Sequence, residues 1–95
     1  MKIISRERIT DITEYREGTN ELVHRLIVER VTFDEAGEVP ESPDIDFFAD
    51  SFRGCDVRCE HCKNREICYF ADEGLVTLTP TKDPLTWVMT AEYRE

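Results

Sequence analysis

Leu22-Val23-His24-Arg25-Leu26-Ile27-Val28-Glu29-Arg30-Val31-Thr32-Phe33 is the stretch whose reading decides the fold. Val23, Ile27 and Val31 stand four apart, as on one face of a helix, but with Phe33 they also share one parity, while Leu22, Leu26 and Val28 share the other. The β-branched residues lose rotamer freedom in a helix and favour a pleated strand. Apolar residues on both parities predict a strand covered on both faces. Glu17-Gly18-Thr19-Asn20 precedes it, and Gly and Asn suit the positive φ of a turn. Residues 2–16, with Ile3, Ile4, Ile9, Ile12 and Tyr15, are then the returning partner in a first hairpin over 1–33.

Working outward, a second hairpin is expected over 74–95. Leu75 to Pro80 alternates Leu75, Thr77 and Thr79 against Val76 and Leu78. A Thr81-Lys82-Asp83-Pro84 turn follows, and then Leu85, Trp87, Met89, Ala91 and Tyr93 alternate with Thr86, Val88, Thr90 and Glu92. That last strand serves as core or as an edge for a partner.

The residues between the hairpins read differently. Asp34 to Pro43 is an acidic loop interrupted by Gly37, Pro40 and Pro43. Ser42-Pro43-Asp44 has the form of a helix start, with Ser as N-cap, Pro first in the helix and an acid in the first turn. Ile45, Phe48, Ala49 and Phe52 then share one helical face, and Gly54 is placed to close the helix. The predicted plan is one α+β domain over 1–95. A small antiparallel sheet from two β-hairpins receives an acidic loop and short helix over 34–54 and a cysteine-rich metal loop over 55–70, ended by an Ala71–Gly74 turn.

All four cysteines lie in that last insert, as Cys55-x3-Cys59-x2-Cys62-x5-Cys68. Thiolates spaced this closely let a turn of helix and a following loop bring several soft ligands onto one ion or cluster. The 95 residues bury only a thin core, which a metal would reinforce. The start of the chain has no signal peptide and no window long enough to span a membrane, so a cytoplasmic protein without membrane contact is expected. In a reducing compartment clustered cysteines serve as metal or redox centres more often than as structural disulfides.

Other assignments of the cysteines stay open. Cys55, Cys59 and Cys62 at i, i+4 and i+7 also fit a buried helical stripe, and Cys59 with Cys62 fits a dithiol-disulfide switch. Zn2+ is preferred over a [4Fe-4S] cluster, because a structural ion needs no further machinery. His61 lies inside the run, but four cysteines already complete a tetrahedral shell. His24, within the decisive strand, reads as a satisfied sheet residue.

Three resemblances attach to these residues. Cys55-x3-Cys59-x2-Cys62 is similar to the triplet of radical S-adenosylmethionine enzymes, which implies a [4Fe-4S] cluster; the β/α barrel of that family does not fit in this length, and Cys68 adds a fourth ligand. Cys59-x2-Cys62-x5-Cys68 resembles the tail of iron-sulfur nucleases related to AddB, and again implies a cluster without their nuclease core. A single four-cysteine loop is also similar to the structural zinc lobe of medium-chain alcohol dehydrogenases, at different spacing.

The formal net charge of -9 argues against nucleic acid, although Arg53, Arg58, Lys63 and Arg65 interleave with the cysteines, where cations offset thiolate charge. Asp34, Glu35, Glu38, Glu41, Asp44, Asp46 and Asp50 suggest calcium as a minor alternative within 34–50, without an EF-hand loop. No phosphate-binding glycine loop, serine elbow or zinc-protease motif occurs, so catalysis is not expected. The sequence thus predicts a small metal-binding protein with Cys55, Cys59, Cys62 and Cys68 as ligands, in a structural or protein-interaction role and with another protein as partner. Electron transfer or redox sensing by an iron-sulfur cluster, and thiol-disulfide chemistry, are the alternatives.

Overall fold

A computed structural model describes residues 1–52 and 64–95. Among them, strands β1 (Ile3–Tyr15), β2 (Leu22–Phe33), β3 (Val76–Pro80) and β4 (Thr86–Arg94) form one antiparallel sheet, ordered β1-β2-β4-β3. Helices α1 (Ile45–Ser51) and α2 (Arg65–Asp72) come between the two hairpins in the chain. The decisive stretch is a strand, and it is the pivot of the sheet: β2 pairs with β1 on one side and with β4 on the other. β4 is therefore interior, with Met89 and Ala91 buried in the core.

The first turn has the expected chemistry. Gly18 adopts φ 75°, where a side chain would be strained, and Arg16 N–H donates to the Glu21 carbonyl at 2.8 Å. The second hairpin turns on Asp83, whose Oδ1 accepts from Leu85 N–H at 2.9 Å, an Asx turn.

The two faces of β2 are not covered alike. Arg25, Ile27, Glu29, Val31 and Phe33, of one parity, are all buried. On the other face, Leu26, Val28 and Thr32 are half-buried and Arg30 is exposed. Leu26 and Val28 thus stand on the outer face, where half-exposed aliphatic residues are common in proteins. Ile27, Val31 and Phe33 join Val76, Leu78, Met89, Ala91, Ile3 and the helix residues Phe48, Ile67 and Ala71 in one core.

α1 begins two residues later than Ser42-Pro43 suggests. Asp44, with extended backbone, is the N-cap and accepts from Phe47 N–H at 2.9 Å. Its carboxylate meets both the capping geometry and the helix dipole. The helix ends at Ser51, before Gly54, because Phe52 turns extended and bridges to Ile3. Phe48 is fully buried between Phe47, edge-on at 5.4 Å, and Phe52, stacked at 5.1 Å, while Ala49 faces solvent.

α2 overlaps the stretch expected to be loop to residue 70 and turn at 71–74. Asn64, Ile67 and Ala71, spaced i, i+3 and i+7, are buried against the sheet, and half-buried Cys68 completes that stripe. The turn is confined to Glu73 and Gly74, where φ is 73°. Among the described residues no helix is long and apolar enough to cross a membrane.

Candidate metal centre

Of the four candidate ligands, Cys68 is described, and Cys55, Cys59 and Cys62 lie outside the described residues, as do His61 and the cations Arg53, Arg58 and Lys63. Cys68 is on the sheet-facing side of α2, where its N–H donates to the Asn64 carbonyl at 3.1 Å. A thiol here is half-shielded from water and packed against the apolar core. Arg65 stacks its guanidinium over the Tyr69 ring, one helical turn on, at 5.0 Å.

The residues bordering 53–63 are held by a charged layer that sequence reading did not anticipate. It is created by irregularities in β1. Register shifts between Ile3 and Ser5, and between Arg8 and Thr10, each add a residue to β1. Without the shifts, Ile3 and Asp11 would lie on one face and Arg6 and Arg8 on the other. With the shifts, Ile3, Arg6, Arg8 and Asp11 pair with Phe33, Val31, Glu29 and Ile27, all on the buried face of β2. The extra residues, Ile4 and Ile9, are about half-exposed.

On this face Glu29, only 3% exposed, accepts from Arg6 Nε at 2.8 Å and from Arg8 Nε at 2.6 Å. Arg25, 9% exposed, donates through Nε and Nη2 to the two Glu66 oxygens, both at 2.9 Å, and through Nη1 to Asp11 and to the Ile12 carbonyl. Hydrogen bonding to Glu66 raises the Arg25 pKa above its ordinary value, against the opposing effect of burial. Asp11 is held below the usual carboxylate range, chiefly by its bond from Arg25. Three guanidiniums and three carboxylates thus compensate one another under α2, with no buried side-chain polar atom unsatisfied among the described residues.

Arg6 does more than pair with Glu29. Its guanidinium lies 4.9 Å from the centroid of the Phe52 ring, and its Nη1 donates to the Asn64 side-chain oxygen. Phe52 precedes the cysteine run, and Asn64 lies within it, one helical turn before Cys68. Asn64 is 4% exposed, and Glu66, in the first turn of α2, is fastened to Arg25. Phe52, ahead of the run, and the helix that carries Cys68 are therefore fixed to β1 and β2.

His24 is structural, as expected. It is buried on the opposite face of β2, with Nδ1 2.7 Å from Glu14 and Nε2 2.7 Å from Glu92, so it ties β1, β2 and β4 together. The carboxylates raise its pKa, Glu14 more than Glu92, against burial and the positive charge of Arg94. The acids of 34–50 are dispersed. Asp44 caps α1, Asp34 accepts from Lys2 N–H at 2.8 Å, and Glu35 pairs with the terminal amine at 3.3 Å. Among the described residues no three His, Cys, Asp or Glu side chains form a group able to hold a metal ion.

No family model, no curated protein and no solved structure matches this chain.

Proposed function

We propose that the protein binds a metal through Cys55, Cys59, Cys62 and Cys68, preferably one Zn2+, in a structural or protein-interaction role. The observation that carries this reading is the chemistry of the donor set: every cysteine of the chain falls between residues 55 and 68. Four soft thiolates match the coordination number of zinc and equally the four irons of a [4Fe-4S] cube. The surroundings agree with it. Cys68 stands on a helix fastened to the sheet through Asn64 and Glu66, and Phe52, ahead of Cys55, is fastened to β1, so the chain entering the run and the helix that ends it are held by the sheet. A metal held there would supply a rigid cross-link between α2 and the preceding chain.

An iron-sulfur protein of electron transfer or redox sensing uses the same four ligands and differs in the metal found. A thiol-disulfide protein would use Cys59 and Cys62 and leave Cys68 dispensable. Calcium in the 34–50 segment draws little support, since its acids already cap, pair and disperse. The net charge of -9 favours a protein partner over nucleic acid, and a cytoplasmic setting suits reduced thiols. Substitution Cys68→Ala tests the ligand set. It is expected to lower both metal content and melting temperature; unchanged values for both would remove Cys68 and the four-cysteine site with it.

A further inference from the structure

We propose that a cleft beside Trp87 docks a basic segment of a partner protein, with one arginine laid along its apolar wall. This deepens the protein-interaction reading above and requires nothing of the cysteines. Trp87 pairs across the sheet with Val31 and Pro80, so it stands on the core face of β4, yet it is half-buried where Val31 is fully enclosed. The facing wall is the acidic loop, whose Val39 packs on the core with Trp87. Two hollows share Val39 and Trp87: one of about 430 Å3 between the loop and β3, reaching Leu78 and Pro80, and one of about 580 Å3 along the loop to Pro40. Both open to solvent, which suits a chain laid across them more than an enclosed small molecule. The loop is fixed there, because Leu78 N–H donates to the Glu41 carbonyl at 2.9 Å.

Charge selects the occupant. Glu41 lines the first hollow and Glu38 the second, and no Lys or Arg lines either. Asp34, Glu35 and Asp44 nearby are engaged in bonds, whereas neither the Glu38 nor the Glu41 carboxylate has an ion pair or hydrogen bond among the described residues. An apolar, aromatic wall with an anionic rim complements a side chain that is itself apolar along its stem and cationic at its head. Arginine is such a side chain, and its guanidinium stacks on an indole, the most favourable of the aromatic faces for a cation. An acidic segment would meet Glu38, Glu41 and the net charge of -9. An aliphatic one would leave the rim carboxylates without a counter-charge.

Trp87 is the only tryptophan of the chain, so its emission reports directly on the cleft. The protein is titrated with a capped Ala-Ala-Arg-Ala-Arg-Ala-Ala peptide, with the same peptide carrying Glu or Leu in place of Arg, and with ethylguanidinium alone. The arginine peptide is expected to change Trp87 emission saturably, and more weakly as ionic strength rises. The double variant Glu38→Gln, Glu41→Gln alters two exposed side chains and is expected to bind that peptide about fivefold more weakly, with its metal content unchanged. No saturable change, equal binding of the leucine or glutamate peptide, or a double variant that binds as wild type would overturn the proposal. Ethylguanidinium binding as tightly as the peptide would reduce the cleft to a small-cation site and overturn the docking surface. A wild-type protein that holds no metal but still takes the arginine peptide would retain the cleft and overturn the four-cysteine site, so the two failures are distinct.

Discussion

Arg25 of β2 and Glu66 of α2 meet as a two-pronged pair, Nε on one carboxylate oxygen and Nη2 on the other, each at 2.9 Å. The pair ties the helix that carries Cys68 to the central strand. Arg25 is nearly enclosed, and Glu66 is half-exposed. Removing Glu66 still leaves the guanidinium bonded to Asp11 and the Ile12 carbonyl, so Glu66→Gln is expected to cost about 1 kcal/mol. Arg25→Ala strips Glu66 and Asp11 of a shared cation and opens a void, and is expected to cost about 3 kcal/mol. Urea denaturation of the two variants checks the order, which would be reversed if Glu66 were the more buried partner.

Glu29 is the stronger test of the charged layer. Two guanidiniums converge on the nearly enclosed Glu29 carboxylate, and Glu29→Leu would leave both without their shared partner. A loss of about 3–5 kcal/mol is expected, as for other broken buried pairs. Equilibrium unfolding showing less than about 1 kcal/mol, the range of exposed pairs, would mean that solvent already screens this layer.

His24 predicts a pH dependence with a definite sign. Its raised pKa means that the folded chain holds the proton more tightly than the unfolded chain does. The resulting stabilisation is complete below the unfolded value near 6.5 and is lost as pH rises through the higher folded value. Glu92, lowered first by its bond to His24, contributes above about 4.5 and loses that contribution as pH falls through its folded value. Between those limits the latch is at full strength. Other groups titrate over the same range, so the readout is the difference between wild type and His24→Gln. That difference in denaturation midpoint should be largest near pH ~5.5 and shrink toward pH ~8.5; a difference that grows with pH would contradict the assignment.

Phe48 anchors α1, stacked on Phe52 and fully buried. Phe48→Ala removes that packing at the border of the cysteine run, and a loss of about 3–5 kcal/mol is expected by thermal or chemical unfolding. A conservative Phe48→Leu should recover most of it.

Much of the sheet was legible because its signals are local. The valines and Ile27 of β2, Gly18 in its turn, and the alternation through Trp87, Met89 and Ala91 each act within a few residues. The strand order was not legible, since nothing local says that β2 meets β4. Arg25 and Glu29 share the parity of Ile27 and Val31, which is the one hint that they point inward, but charge argues for solvent until partners are seen. Those partners come from β1 through bulges, which have no clear mark in a chain of charged residues and isoleucines. α2 was hidden by its own chemistry. Ile67, Cys68 and Ala71 form a helical stripe, but the spacing of the cysteines drew the stretch into a loop and Gly74 drew the turn back to Ala71. For the candidate site, the proposed ligand set rests on spacing alone, while the charged layer beside it depends on contacts between residues as far apart as Arg6 and Asn64, which no local signal in the sequence announces.

The measurement that bears most directly on the central claim is metal analysis of the protein purified without oxygen, with its absorption spectrum. The four-cysteine site predicts a colourless protein with one zinc per chain; iron with a broad visible band would select the cluster on the same ligands. Neither metal, with four thiols titrating freely in the native protein, would contradict the account.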